Sequence, residues 1–79
     1  MTSPGRNVKP EKNTRFILNG RALERPGQCA LDFLMRDLNI KPERAVTIIN
    51  GDIVKPDMRS AREVRDGDRV EIVTLAGGG

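Results

Sequence analysis

From Thr14 the chain alternates in steps of two: Phe16 and Leu18 point one way, Ile17 the other, and Asn19-Gly20 follows. That period predicts a strand. Asn-Gly suits the two left-handed positions of a type I′ turn, whose twist matches the strands it joins. Arg21 to Arg25 is then the predicted return strand, with Leu23 turned inward and Pro26-Gly27 ending it. From Ala30 to Leu38 the period changes, because Leu31, Leu34, Met35 and Leu38 fall at i, i+3, i+4 and i+7, with Ala30 and Phe33 flanking the stripe. This predicts a helix with a wide apolar face. Asp32 suits the positive end of the helix dipole. Cys29 stands at the helix start, where Ser, Thr or Asp would cap better, and Asn39 and Pro42 close the element.

Ala45 to Asn50 is a β-branched run, Asn50-Gly51 repeats the turn signal, and Asp52-Ile-Val54 makes a second hairpin that Pro56 stops. Residues 57–64 are too short and mixed for a full helix and predict a turn or a short 3₁₀ segment. After the Asp66-Gly67 turn, Asp68 to Thr74 is the clearest strand in the chain. The order β-β-α-β-β-β predicts an α+β fold in which one helix packs across a mixed sheet of about five strands. This is the β-grasp arrangement, with the last strand in the sheet interior beside the first.

Residues 1–13 hold two prolines, a glycine and only Val8 as a substantial apolar side chain after Met1. Too little can be buried there to offset the entropy of ordering, so this stretch is expected to be a disordered tail. The expected division is therefore tail 1–13, β-grasp domain 14–74 and a glycine-rich end 75–79. Net charge is +3, but Arg6, Lys9 and Lys12 against Glu11 carry most of it, and the remainder is near neutral. A nucleic-acid domain would cluster basic residues on a folded face, so no nucleic-acid partner is expected.

Composition narrows the chemistry further. Seventy-nine residues make one small domain with a thin core and no room for a deep substrate cavity. There is no His and one Cys, so no zinc site, Ser-His-Asp triad or internal disulfide can form. No catalytic residues, metal or cofactor are expected, and the chain is not expected to be an enzyme. One unpaired cysteine fits a reducing compartment, and no apolar run approaches the ~20 residues of a membrane span. A cytoplasmic protein without a membrane partner is expected.

The chain ends Thr74-Leu-Ala-Gly-Gly-Gly79. Glycines add flexibility and strip side chains from the neighbourhood of the terminal carboxylate. Leu75, Ala76, Gly77, Gly78 and Gly79 reach about 17 Å when extended, far enough to enter a partner's narrow channel. A carboxylate is a poor electrophile, since its charge repels nucleophiles and oxide leaves badly. Converting it to an acyl adenylate with ATP removes both obstacles, and nothing in this chain could do that. The expected role is a carrier acted on by an ATP-binding enzyme; the bland alternative is a frayed end.

Four features in order resemble the bacterial ThiS family of ubiquitin-like sulfur carriers: Leu18-Asn-Gly20, Ile49-Asn-Gly-Asp-Ile-Val54, Asp66-Gly-Asp-Arg-Val-Glu-Ile-Val73 and the terminal glycines. The resemblance covers residues 15–79. It implies that Gly79 is adenylated by a ThiF-like activating enzyme and becomes a thiocarboxylate. The sulfur would come from a donor such as a cysteine desulfurase or rhodanese-type protein and pass to a thiazole synthase for thiamine. Gly78 and Gly79 correspond to the family's terminal pair. The N-terminal extension, the third glycine Gly77, and Cys29 in place of the usual capping threonine depart from the pattern.

Strand parity suggests where the activating enzyme docks. With Val70 and Ile72 facing the helix, Val73 lies on the other side of the sheet, and the same parity assigns Ile17 and Ile49 there, with Leu75 beyond. Cys29 could accept sulfur if its pKa were lowered, but a small buried residue is the favoured reading. Other readings keep the fold and change the role. They are a sulfur carrier for molybdopterin, sulfur amino acids or tRNA thiolation, a ubiquitin-like protein modifier, and a TGS-like RNA-binding module.

Overall fold

The computed structural model describes residues 13–75. Its elements are β1 (Asn13–Leu18), β2 (Arg21–Pro26), β3 (Cys29–Ala30), α1 (Leu31–Asp37), β4 (Ala45–Ile49), β5 (Asp52–Val54), β6 (Glu63–Val64) and β7 (Arg69–Thr74). Single 3₁₀ turns at Pro42–Arg44 and Pro56–Met58 link them. Five strands form one mixed sheet in the order β2-β1-β7-β4-β5, and β3 pairs with β6 in a separate two-stranded piece. The last strand sits in the centre, parallel to β1 and antiparallel to β4. The β-grasp expectation holds. The expected tail at 1–13 lies outside the described residues except for Asn13, which opens β1.

Both hairpins turn as the Asn-Gly signal predicts, with φ of 49° and 85° at Asn19 and Gly20 and 53° and 88° at Asn50 and Gly51. A Cβ at Gly20 or Gly51 would meet nothing within 4 Å. These glycines are needed for backbone conformation rather than for space.

α1 is one residue shorter at each end than its apolar stripe predicts. Leu31, Leu34 and Met35 are buried in one core with Phe16, Ile49, Val64, Val70 and Ile72, while Leu38 is only partly covered. Phe33 turns outward and is exposed. The helix stops at a left-handed Asn39, with φ of 62°. The Asn39 N–H donates to Arg36 O and the Ile40 N–H to Met35 O, the paired bonds of a Schellman cap.

The helix start corrects an expectation. Ala30 is the N-cap residue and makes no side-chain cap. The orphan N–H groups of Leu31 and Asp32 donate instead to the carbonyls of Arg62 and Arg59, at 2.9 and 3.3 Å. A backbone loop thus does what a capping side chain would do. Cys29 lies one residue earlier, paired with Val64 across β3 and β6, with its side chain buried in the core.

Candidate docking face and tail exit

β7 is where the sequence motifs converge. At its start, the Arg15 N–H donates to Asp66 Oδ1 and the Gly67 N–H to Arg15 O, each at 2.8 Å. Asp68 is buried and accepts from the Arg65 N–H through Oδ2 at 2.8 Å and from Asn50 Nδ2 through Oδ1 at 2.9 Å. Asn50 Oδ1 accepts from the Arg69 N–H at 2.9 Å, and the Asn50 N–H donates to Arg69 O. On the other edge, Asn19 Oδ1 accepts from the Ile72 N–H at 3.0 Å and Asn19 Nδ2 donates to Ile72 O at 3.2 Å. The asparagines of the two hairpin turns therefore grip the central strand from both sides as well as supplying the turn conformation. Turn statistics alone give no hint of that second role, although the recurrence of Asn-Gly beside an Asp-Gly-Asp segment is its trace.

The strand leaves the sheet at Leu75, whose N–H donates to Arg44 O at 2.7 Å. Ala76 to Gly79, which contain the expected reactive end, lie outside the described residues.

The sheet face turned away from α1 carries an apolar patch, and its membership differs from the parity expectation at one position. Val73 and Leu75 are 51% and 55% exposed, and Ile17 is exposed as well. Ile49 is 1% exposed and belongs to the core. It pairs with inward-facing Val70, and directly paired residues share a face. The outward residues of β4 are Val46 and Ile48, paired with Val73 and Glu71 respectively, and Ile48 also faces Ile53, which is 68% exposed.

The phase of β4 is set by a polar group. An outward Ile49 would carry Thr47 outward with it, but Thr47 is fully buried. Its hydroxyl donates to Val54 O at 2.8 Å and accepts from Arg59 Nε at 3.1 Å, and a hydroxyl satisfied twice can be buried at little penalty. The patch therefore runs from Val73 through Val46 and Ile48 to Ile53, while the β1–β2 half of this face is charged, with Arg15 Nε 3.5 Å from Glu24 Oε1.

Cys29 does not have the environment of a sulfur acceptor. Burial pushes its thiol pKa up from 9.0; Arg25 opposes this and Asp37 adds to it. The thiolate, which is the nucleophile, is thereby disfavoured. Among the described residues, no group of three or more His, Cys, Asp or Glu could hold a metal ion, and no helix is long and apolar enough to cross a membrane.

A five-stranded mixed sheet crossed by one helix, with its central last strand running out into a glycine-rich end, defines a ubiquitin-like carrier. The ThiS family model matches residues 16–79, and the chain belongs to that family. It is similar to a crystal structure of the thiamine biosynthesis protein ThiS from Geobacter metallireducens, with a TM-score of 0.70 and 26% identity over 82% of this chain and 99% of that one. A solution structure of a thiamine biosynthesis protein from the same organism also superposes with a TM-score of 0.70, at 25% identity over 82% of this chain and 87% of that one. The uncharacterized protein ycf40 of Porphyra purpurea is 31% identical over 68 residues, which is 86% of this chain and 96% of that protein.

Proposed function

We propose that this chain carries sulfur for thiazole formation in thiamine synthesis, with the carboxylate of Gly79 as the attachment point. The observation that carries the reading is the central β7, held by Asp68, Asn50 and Asn19, leading directly into the glycine end within the match to the ThiS family. A fixed strand gives the short end a defined point of departure. A ThiF-like enzyme transfers AMP from ATP to the carboxylate, and pyrophosphate leaves. The persulfide of a donor, such as a cysteine desulfurase or rhodanese-type protein, then attacks the carbonyl carbon and AMP departs. A thiol reductant cleaves the resulting S–S bond to release the thiocarboxylate, whose sulfur a thiazole synthase takes up. The chain is carrier, not catalyst.

The helix-free face supplies the grip for the activating enzyme. Ile17, Val73 and Leu75 lie on it, and Val46, Ile48 and Ile53 extend it in place of Ile49. An exposed apolar surface of this kind, rimmed by charge, marks a partner interface.

The test is intact mass measurement after incubation with the activating enzyme, ATP, a persulfide donor and a thiol reductant. Replacement of one oxygen by sulfur adds about 16 Da, a covalent change confined to the last residue. Deletion of Gly78 and Gly79 is expected to abolish the gain. A shifted mass in the truncated chain, or no shift in the intact one, overturns the reading.

A further inference from the structure

The geometry points to Arg59 as a positioning residue that fixes where the tail leaves the sheet; this rests on the reading of residues 75–79 as the reactive end. Arg59 comes from the mixed stretch after Pro56, yet it is only 4% exposed. Among the described residues no carboxylate forms an ion pair with it. Its donors go to neutral acceptors: Nε to Thr47 Oγ1 at 3.1 Å, Nη1 to Pro42 O at 3.0 Å and Nη2 to Ala45 O at 2.7 Å. Burying a cation without a counter-ion is unfavourable unless its hydrogen bonds are well made. The planar guanidinium repays that by holding three acceptors in fixed relative positions.

Those acceptors surround the tail exit. Pro42 and Ala45 bracket the single 3₁₀ turn Pro42–Arg44, so fixing their carbonyls also orients Arg44 O between them. Arg44 O accepts the Leu75 N–H at 2.7 Å, and Ala45 pairs with Thr74. Thr47 ties the same cluster to the edge strand by donating to Val54 O on β5. The start of β7 has its own side-chain clamps in Asp68 and Asn50 and its middle has Asn19; at the exit Arg59 performs that duty from behind β4.

The consequence for the carrier is geometric. With the base fixed at Leu75, the four residues beyond it reach about 14 Å from one point. If the exit frays, the pivot retreats along β7, the end samples a larger volume, and its effective concentration in a partner's channel falls. The residues that come loose must also be ordered again on docking, at a cost in backbone entropy.

Amide exchange by NMR on the full chain, together with ATP–pyrophosphate exchange catalysed by the activating enzyme, tests this with Arg59→Met, Arg59→Lys and Leu75→Pro. In Arg59→Met the Leu75 amide is expected to exchange at least about tenfold faster, whereas Ile17 and Asn19, which bond to the start of β7, keep their protection. KM for the carrier should rise about tenfold with kcat within about twofold, the signature of lost positioning rather than lost chemistry. Leu75→Pro removes the same bond without touching the core and, because it also takes a side chain from the docking face, should raise KM at least as much. Unchanged Leu75 protection in a folded Arg59 variant, or an unchanged KM, would overturn the assignment. If Arg59→Met does not fold, Arg59→Lys, which keeps the charge but supplies a single point donor, and Leu75→Pro decide the matter. A wild-type chain that is not adenylated at all would sink the carrier function, while the Leu75 exchange would still report whether Arg59 holds the exit.

Discussion

At its start β7 is gripped by side chains, with Asp68 buried between Arg65 and Asn50, and Asn19 closes on Ile72 past its middle; at its exit the β4 ladder continues through Thr74 and ends in the bond from the Leu75 N–H to Arg44 O. The start is over-determined and the exit is released at a defined residue. A carrier needs both properties in one strand, since a partner must find the end at a predictable place and still be able to draw it into a channel. The largest expected effect comes from undoing the stronger end. Asp68→Ala leaves Asn50 Nδ2 and the Arg65 N–H without their acceptor, and should lower stability by about 2–4 kcal/mol, measured by urea unfolding. A loss below about 0.5 kcal/mol would mean that the start is no better fixed than the exit.

The two asparagines divide that effect. Asn19→Gly and Asn50→Gly preserve the left-handed turn but delete the amide bonds to β7, and each should lose about 1 kcal/mol. Asn→Ala at the same positions also forces a Cβ residue to positive φ and should lose about 1 kcal/mol more. If glycine and alanine variants behave alike, the amide bonds rather than the turn conformation account for the choice of asparagine.

These residues show how far the sequence could be read. The hairpins, the helix and the central strand were legible because alternation, the i, i+3, i+4, i+7 stripe and Asn-Gly each reflect a single local rule. The pairing of β3 with β6 was not, since two-residue strands have no period to detect. The phase of β4 went wrong at Ile49 for a different reason. In Ala45-Val-Thr-Ile-Ile49 neither parity is clearly the apolar one, and the choice falls to Thr47, whose burial depends on an arginine twelve residues away. Arg59 itself lies near Arg62 and Arg65 and reads as one more solvated charge, so the positioning role proposed for it had no local signature. The expected reactive end rests on the run of glycines after a strong strand, and residues 76–79 lie outside the described residues.

Cys29 probes the strong end more gently, since β3 pairs with β6 immediately before the Arg65–Asp68 turn. Burial raises the thiol pKa above 9.0 in the folded chain, whereas the unfolded thiol titrates near its ordinary value. The folded state therefore holds the proton that the unfolded state gives up, so this contribution is constant below about pH 9 and falls as pH rises through the folded pKa. Urea midpoints should decline faster on the alkaline side for the wild type than for Cys29→Ala. Iodoacetamide at about pH 8 should modify the native thiol at least about tenfold more slowly than the urea-unfolded one. Equal alkylation rates would place the thiol outside the core.

The smallest change in stability is expected where function should suffer most. Val73 faces solvent at the exit end of β7, paired with Val46 on the patch. An aspartate there stays hydrated, so Val73→Asp should shift unfolding by no more than about 0.5 kcal/mol. The same charge placed in an apolar contact with the activating enzyme would be desolvated without a partner, which is enough to abolish adenylation. Ile49→Asp is the matched control, because that side chain is in the core and a buried carboxylate there should prevent folding outright. Adenylation that survives Val73→Asp would remove the helix-free face from the interface and leave the tail as the partner's principal handle. Its loss, with melting unchanged, would show that the exit is read together with the surface beside it. On that outcome the exit end of β7 is the end the partner recognises, and the clamps earlier in the strand serve to keep that end in register.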